Sequence, residues 1–459
     1  MKHSAKIFTI ALTAMLFVYT ASTLAQEPVD NIGHTRHKIK HGQSHVSEIA
    51  TETRFSTSRK SDVTLALPQE NDVFSFVIFG DRTTGKPEGV SILADAVHEA
   101  NLIEPDFVIN IGDMVQGYNA TELWLEQMRE YRGIMDELKC PWFPVAGNHD
   151  MYWRGDDKPF REHEEDYEKH FGPLWYAFEH KNSWFIVLFT DEGHPETGEK
   201  NFRKPECQVM SDEQFNWLKA TLEKTKGADH VFVFQHQPRW LGGENYGKSW
   251  EPVHKLLAEA GNVRAVFAGH IHYMRYNVKD GIEYYTLATT GGNLNAESVA
   301  EAGYLHHFNQ VTVRKNQIGM ITIPVGAAFD PRSIDKQSQA DLLALHRKQY
   351  EAASVSGVLD GWSISGTASL AVKNTVKSPI EVTATIADAD SRWNFESQES
   401  TFRLEPGEEQ TASFTFNGTY DEQTPPPIIS LNVTYYGSGK PVALPPKQIN
   451  MQLPATQAP

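Results

Sequence analysis

Five short apolar runs, FSFVIF, DFVINI, WFPVA, HVFVF and RAVFA, recur along the chain, and each stops at a cluster of small and polar residues. Their near-continuous hydrophobicity is that of strands buried on both faces, a burial that arises where helices cover a sheet. Helical patterns lie between them. Val90, Leu93, Val97 and Ala100 recur at spacings of three and four, and Ser211 with Gln214 has the form of a capping box ahead of FNWLKATLEK. This alternation, from Val73 to about Gly326, predicts an α/β layered domain over residues 72–326. The later runs SWFIVLFTD, IEYYTLATT, HFNQVTV and GMITIPV lack long helices between some of them and predict a second, mixed sheet.

The residues that end the five runs carry the chemistry. They are Gly80-Asp81, then Asp113 in IGDMVQG, Asn148 and His149 in AGNHD, His236 in FQHQP, and His270 with His272 in AGHIH. In an open α/β sheet the carboxyl ends of neighbouring strands face one crevice, so these residues are expected to converge. Taken singly, a strand-end aspartate is often a helix cap and an isolated histidine a satisfied core residue. All five in order, each after a buried strand, are hard to explain as caps. Carboxylate, amide and imidazole donors without thiolate suit divalent ions such as Mn, Fe or Zn.

The ordered set GD…GDMVQG…GNHD…H…GHIH resembles the calcineurin-like metallophosphoesterase superfamily over about Val73 to Gly326, and FGPLWYAFEHKNSWFIVLFTD resembles the segment that follows GNHD in many bacterial members. The resemblance implies a four-layer sandwich of two mixed sheets flanked by helices, and two divalent metal ions. Asp81, Asp113 and His272 would hold the first; Asp113, as a bridge, with Asn148, His236 and His270 would hold the second. It also implies hydrolysis of a phosphomonoester or phosphodiester on a small phosphorylated substrate, with Asp113 and His149 catalytic and His149 the general acid toward the leaving group. An outer-shell orienting role is the other reading of His149.

The chain departs from that family's commonest pattern in named places. Thr83 stands where D-x-H members carry a histidine, and Gln116 and Gly117 stand where GDxxDR members carry an acid and an arginine. Purple acid phosphatases place a tyrosine at the Gln116 position. Arg82 and Arg239 are the candidates to replace the missing phosphate-binding arginine, with Gln116 beside them; each arginine reads equally well as a salt-bridge partner.

The flanks read differently. Residues 1–25 combine Lys2 and Lys6 with an apolar stretch and small residues before Gln26, the layout of a cleaved signal peptide, so a periplasmic or secreted protein without a membrane span is expected. Residues 26–71 read as a flexible lead-in, whose His34, His37, His41 and His45 are at most a weak metal tract. Residues 327–357 read as a helical linker, and the alternating runs from 358 to 459 as an all-β, immunoglobulin-like sandwich. The formal net charge of −17 makes nucleic acid an unexpected partner. Cys140 and Cys207 rule out a disulfide scaffold and allow one bridge in an oxidising compartment. A rival reading, in which a degenerate phosphoesterase core is a scaffold and the sandwich a glycan- or protein-binding module, is opposed by the complete ligand set.

Overall fold

The computed structural model describes residues 72–83, 89–156, 158–294, 299–387, 390–420, 424–437 and 440–453. The signal-peptide reading and the histidine tract at His34 to His45 lie outside them. The chain divides into two compact units, one ending at Ala328 and the other beginning at Phe329.

Among the described residues, eleven strands build the first unit: β1 (Val73–Phe79), β2 (Phe107–Asn110), β3 (Trp142–Phe143), β4 (Tyr176–His180), β5 (Ser183–Val187), β6 (His230–Phe234), β7 (Val263–Ala268), β8 (Arg275–Lys279), β9 (Ile282–Thr286), β10 (His307–Arg314) and β11 (Gln317–Pro324). They form two mixed sheets, ordered β11-β10-β1-β2-β3 and β4-β5-β6-β7-β9-β8. In the first, β1 to β3 are parallel and β10 and β11 antiparallel; in the second, β5, β6, β7 and β9 run parallel between antiparallel edges β4 and β8. The membership differs from the expectation in one respect. HFNQVTV and GMITIPV join β1 in the first sheet, whereas HVFVF and RAVFA lie at the centre of the second, because strand pairing is decided by long-range register that adjacency in the chain does not reveal. The third run yields only the two-residue β3, since Pro144 has no N–H to extend a ladder.

Three cores stack the layers. Phe76, Phe107, Phe185, Phe232 and Phe234 interlock between the sheets, with Phe107 and Phe185 edge-to-face at 4.9 Å. Helices Gly89–Ile103 and Thr121–Met135 pack on one outer face through Leu93, Val97, Trp124 and Met128. Helices Asp212–Lys224 and Glu251–Ala260 cover the other through Leu218, Leu222, Val253 and Leu257. The result is a helix–sheet–sheet–helix sandwich. Ser211 does cap its helix by accepting the Gln214 N–H at 3.2 Å, but the reciprocal half of a capping box is absent: the Gln214 side chain is drawn to the backbone of Phe189 at the end of β5.

The second unit is β apart from a 3-10 turn at Pro331–Ser333 and helix Lys336–Arg347, which is capped by Asp335 and buries Leu345 in the β core. Its strands are β12 (Ala353–Asp360), β13 (Ser363–Lys373), β14 (Ile380–Ala387), β15 (Trp393–Phe395), β16 (Glu399–Leu404), β17 (Glu409–Thr419), β18 (Ile428–Tyr435), β19 (Val442–Ala443) and β20 (Lys447–Gln452). The order is β15-β17-β13-β12-β20-β18-β14-β16, with β19 on β18 and β20 bridging the two halves. Burial alternates along β14 and β17, the signature of strands with one face on a core. Cys140 and Cys207 are both free thiols.

Candidate metal centre

The centre is built where β1, β2, β6 and β7 stop, together with the turn after β3. A close-packed backbone sets its dimensions. A Cβ added to Gly269 would lie 2.1 Å from Asp81 Oδ1, one on Gly147 2.3 Å from Asp113 Oδ1, and one on Gly112 2.6 Å from His236 Nδ1. Glycine is required at each for the neighbouring side chain to stand where it does.

Three of the candidate ligands hold left-handed backbone: Asp113 at φ 56°, His270 at φ 71° and His272 at φ 58°. Non-glycine residues pay roughly 1–3 kcal/mol for such conformations, which persist only where surroundings over-determine them. At Asp113 the determinant is Asp150. This fully buried carboxylate accepts the N–H groups of Asp113, Met114, Val115 and Gly147 at 2.8–3.2 Å, tying the second motif to the third. Burial first, and then the Asp113 charge, push the Asp150 carboxyl up to about 7 against the pull of those N–H groups.

The side chains converge in two overlapping sets. Donor atoms of Asp113, His236 and His270 lie within 4.8 Å of one another, as do those of Asp81, Asp113 and His272. Asp113 Oδ1 is 3.2 Å from His236 Nε2, and Asp81 Oδ2 is 3.2 Å from His272 Nε2. Asn148 Oδ1 sits 3.1 Å from His236 Nε2, and His270 Nδ1 is 3.3 Å from the same nitrogen. Two of the three imidazoles are oriented from behind: the carbonyls of Ile111 and Asn293 lie 2.8 and 2.7 Å from the Nδ1 atoms of His236 and His272, turning Nε2 inward.

The carboxylates and imidazoles of the centre shift one another strongly. Burial alone would raise the Asp113 carboxyl, but His236, His149 and His270 hold it well below the usual carboxylate range. His236, which burial would lower, is instead raised to about 10 by Asp113, Asp81 and Asp191. His270 is pushed down to about 3 by burial and by its neighbour His236. Asp81 Oδ1 is buried without a hydrogen-bond partner, although Oδ2 accepts the His270 N–H at 2.8 Å. An orphaned carboxylate oxygen beside inward-facing imidazole nitrogens fits a divalent cation.

The remaining candidates are placed as follows. His149 is half-buried; its Nδ1 lies 2.6 Å from the backbone carbonyl of Gln116, so its partner there is main chain rather than a side-chain acid. Arg82 is buried against Glu130 at 3.3 Å. Arg239 is buried and donates to the carbonyl of Thr190. Thr83 is buried, with its hydroxyl 3.4 Å from the Gln116 carbonyl. Sequence reasoning missed Asp150, whose visible signal was its adjacency to Asn148-His149. It also missed Tyr118, whose hydroxyl accepts from Asn148 Nδ2 at 2.8 Å, and Phe202, whose ring meets His270 at 5.0 Å.

Residues 74–274 match the family model described as calcineurin-like phosphoesterase. No curated protein matches the chain. Similar solved structures include the Plasmodium inner-membrane-complex anchor GAP50 (18% identity, 55% of this chain and 85% of that one, TM-score 0.40). They also include purple acid phosphatase PPD1 from yellow lupin (16% identity, 58% and 54%, TM-score 0.43). A third is a putative 5'-nucleotidase from Staphylococcus aureus (12% identity, 74% and 89%, TM-score 0.32).

Proposed function

We propose, from the match of residues 74–274 to the calcineurin-like phosphoesterase family, that the chain hydrolyses small phosphoesters with divalent cations that would be held by two ligand sets sharing Asp113. One observation carries the reading: two ligand sets share Asp113, and the buried oxygen Asp81 Oδ1 beside them is left for a cation. Asp81 and His272 would serve one ion, and Asn148, His236 and His270 the other. When bound, such ions supply an activated water near neutral pH and positive charge opposite the phosphoryl oxygens.

The protein's own residues do the rest. Asp150 holds the Asp113 loop in its strained conformation, and the Ile111 and Asn293 carbonyls keep the Nε2 atoms of His236 and His272 turned inward. His149 stands beside this cluster with its backbone N–H on Asp113 Oδ1 at 2.9 Å and Nδ1 on the Gln116 carbonyl. Its Nε2 is left to give a proton to the departing oxygen as the P–O bond breaks. With Arg82 and Arg239 both engaged by protein groups, neither is assigned a phosphate contact. The N-terminal sequence supports export, with the reaction carried out in the periplasm or outside the cell, which fractionation of the producing cells checks directly.

The test is turnover of p-nitrophenyl phosphate and its bis ester with Mn, Fe or Zn added to chelator-treated protein, alongside metal-to-protein ratios. Metal-dependent turnover with two ions per chain is expected. Absence of turnover with every metal overturns the reading.

A further inference from the structure

Two exposed arginines stand at the metal centre, each stacked on an aromatic ring that touches a residue of the centre. The Arg154 guanidinium lies 4.1 Å from the Tyr118 ring, which is 4.2 Å from the His149 ring and bonded to Asn148. The Arg203 guanidinium lies 5.5 Å from the Phe202 ring, which meets His270 edge-on at 5.0 Å. Tyr152 joins the two, 5.6 Å from Tyr118 and 6.2 Å from Phe202. Arginine, aromatic, aromatic, aromatic, arginine thus form one continuous arc beside the candidate ligands.

Neither guanidinium is paired with a carboxylate among the described residues, whereas the neighbouring lysines are: Lys200 with Glu164 at 2.7 Å and Lys204 with Glu199 at 2.8 Å. On a chain of net charge −17, two exposed cations left without carboxylates at one site are a selective placement. Stacking fixes the plane of each guanidinium and leaves its N–H edges free for bidentate binding of a phosphate. The loop bearing Phe202 and Arg203 is itself anchored, because the buried Lys200 ammonium also donates to the Asp191 carbonyl in the segment that follows β5.

Building on the phosphoesterase reading, we infer that Arg154 and Arg203 bind a second phosphate of the substrate, so that preferred substrates carry a phosphate beyond the scissile one. The metal centre meets the charge of the scissile group, and the arginine pair lies outside that centre, where only a further anion needs it.

With Mn in excess, KM for a nucleoside 5'-diphosphate is expected to be about tenfold or more below that for the nucleoside 5'-monophosphate. The double variant Arg154→Ala, Arg203→Ala should raise the diphosphate KM by about tenfold or more while kcat moves much less, the pattern of lost ground-state binding. The Arg→Lys pair should recover part of the affinity with a steeper salt dependence. Lys219→Gln, the loss of one positive charge on an exposed face of helix Asp212–Lys224, should leave the preference intact. Calorimetric titration of metal-stripped protein with inorganic diphosphate should show binding in the wild type that is lost in the double alanine variant. A wild type that turns over p-nitrophenyl phosphate yet shows no diphosphate preference overturns the inference, as does a double variant that keeps the preference. Turnover of none of the three substrates overturns the phosphoesterase reading itself, and the assignment of the arginines falls with it.

Discussion

At Asp113 three demands meet: a left-handed backbone, hydrogen bonds from the His149 N–H and Arg82 side of the loop, and membership of both ligand sets. Asp113→Asn is therefore expected to lower turnover by more than about a hundredfold, since it removes the shared anion where loss of an outer-shell partner alone costs about 10- to 100-fold. The fold should persist because the site lies at a strand end; activity within tenfold of wild type at saturating metal would contradict the bridging assignment. His149 makes a separate demand. With its Nδ1 on a backbone carbonyl rather than on a side-chain acid, its contribution is expected to be proton donation through the other ring nitrogen. His149→Ala should slow alkyl phosphates by about 10²- to 10⁴-fold and p-nitrophenyl phosphate far less, because the phenolate departs unaided. Equal losses on both substrates would assign His149 to orientation.

At the scale of elements, the site is an arrangement of loops held by one another. Asp150 receives four backbone N–H groups from two loops, so Asp150→Ala leaves buried donors unsatisfied and releases the Asp113 turn. We expect metal affinity to fall by about 10- to 100-fold with secondary structure retained, measured by equilibrium dialysis and circular dichroism; unchanged affinity would show that the strained turn holds itself. What was legible in the sequence follows from the same distinction. The strand ends could be read because a buried run followed by glycine and a polar residue is a local pattern; Asp81, Asp113, His236, His270 and His272 lie together, with Asn148 against His236. Asp150 could not be weighed, since its role exists only once residues 113–115 fold against it. Sheet membership was equally hidden: β10 and β11 join β1 across more than two hundred residues of intervening chain. Arg82 and Arg239 were ambiguous for the same reason, their partners Glu130 and Thr190 being fixed by tertiary packing.

At the scale of the molecule, every candidate site residue lies in the first unit, and its three cores share no residue with the core of the second. A chain ending at Ala328 is expected to keep kcat/KM on p-nitrophenyl phosphate within a small factor of the full protein, and a loss beyond tenfold would assign the second unit a part in catalysis. That shorter chain also isolates one unfolding transition for a test of acid stability. His307 is fully buried at the start of β10, and its Nε2 accepts the Ala288 N–H at 3.0 Å. Burial, more than any neighbour, pushes the imidazole down from 6.5 to about 4. The folded state therefore takes up this proton only near pH 4, whereas the unfolded chain takes it up near 6.5, so between those values the unfolded state binds more protons and stability falls as pH falls. The contribution is present in full above pH 6.5 and is lost by pH 4, amounting to about 3 kcal/mol. His307→Gln keeps an acceptor for the Ala288 N–H but cannot titrate. Its urea-unfolding free energy should decline less steeply than wild type between pH 6.5 and 4, by about that amount, whatever its stability at neutral pH. Parallel pH profiles for the two proteins would mean that His307 titrates in the folded state as it does in the unfolded chain, its burial being relieved by a rearrangement of β10.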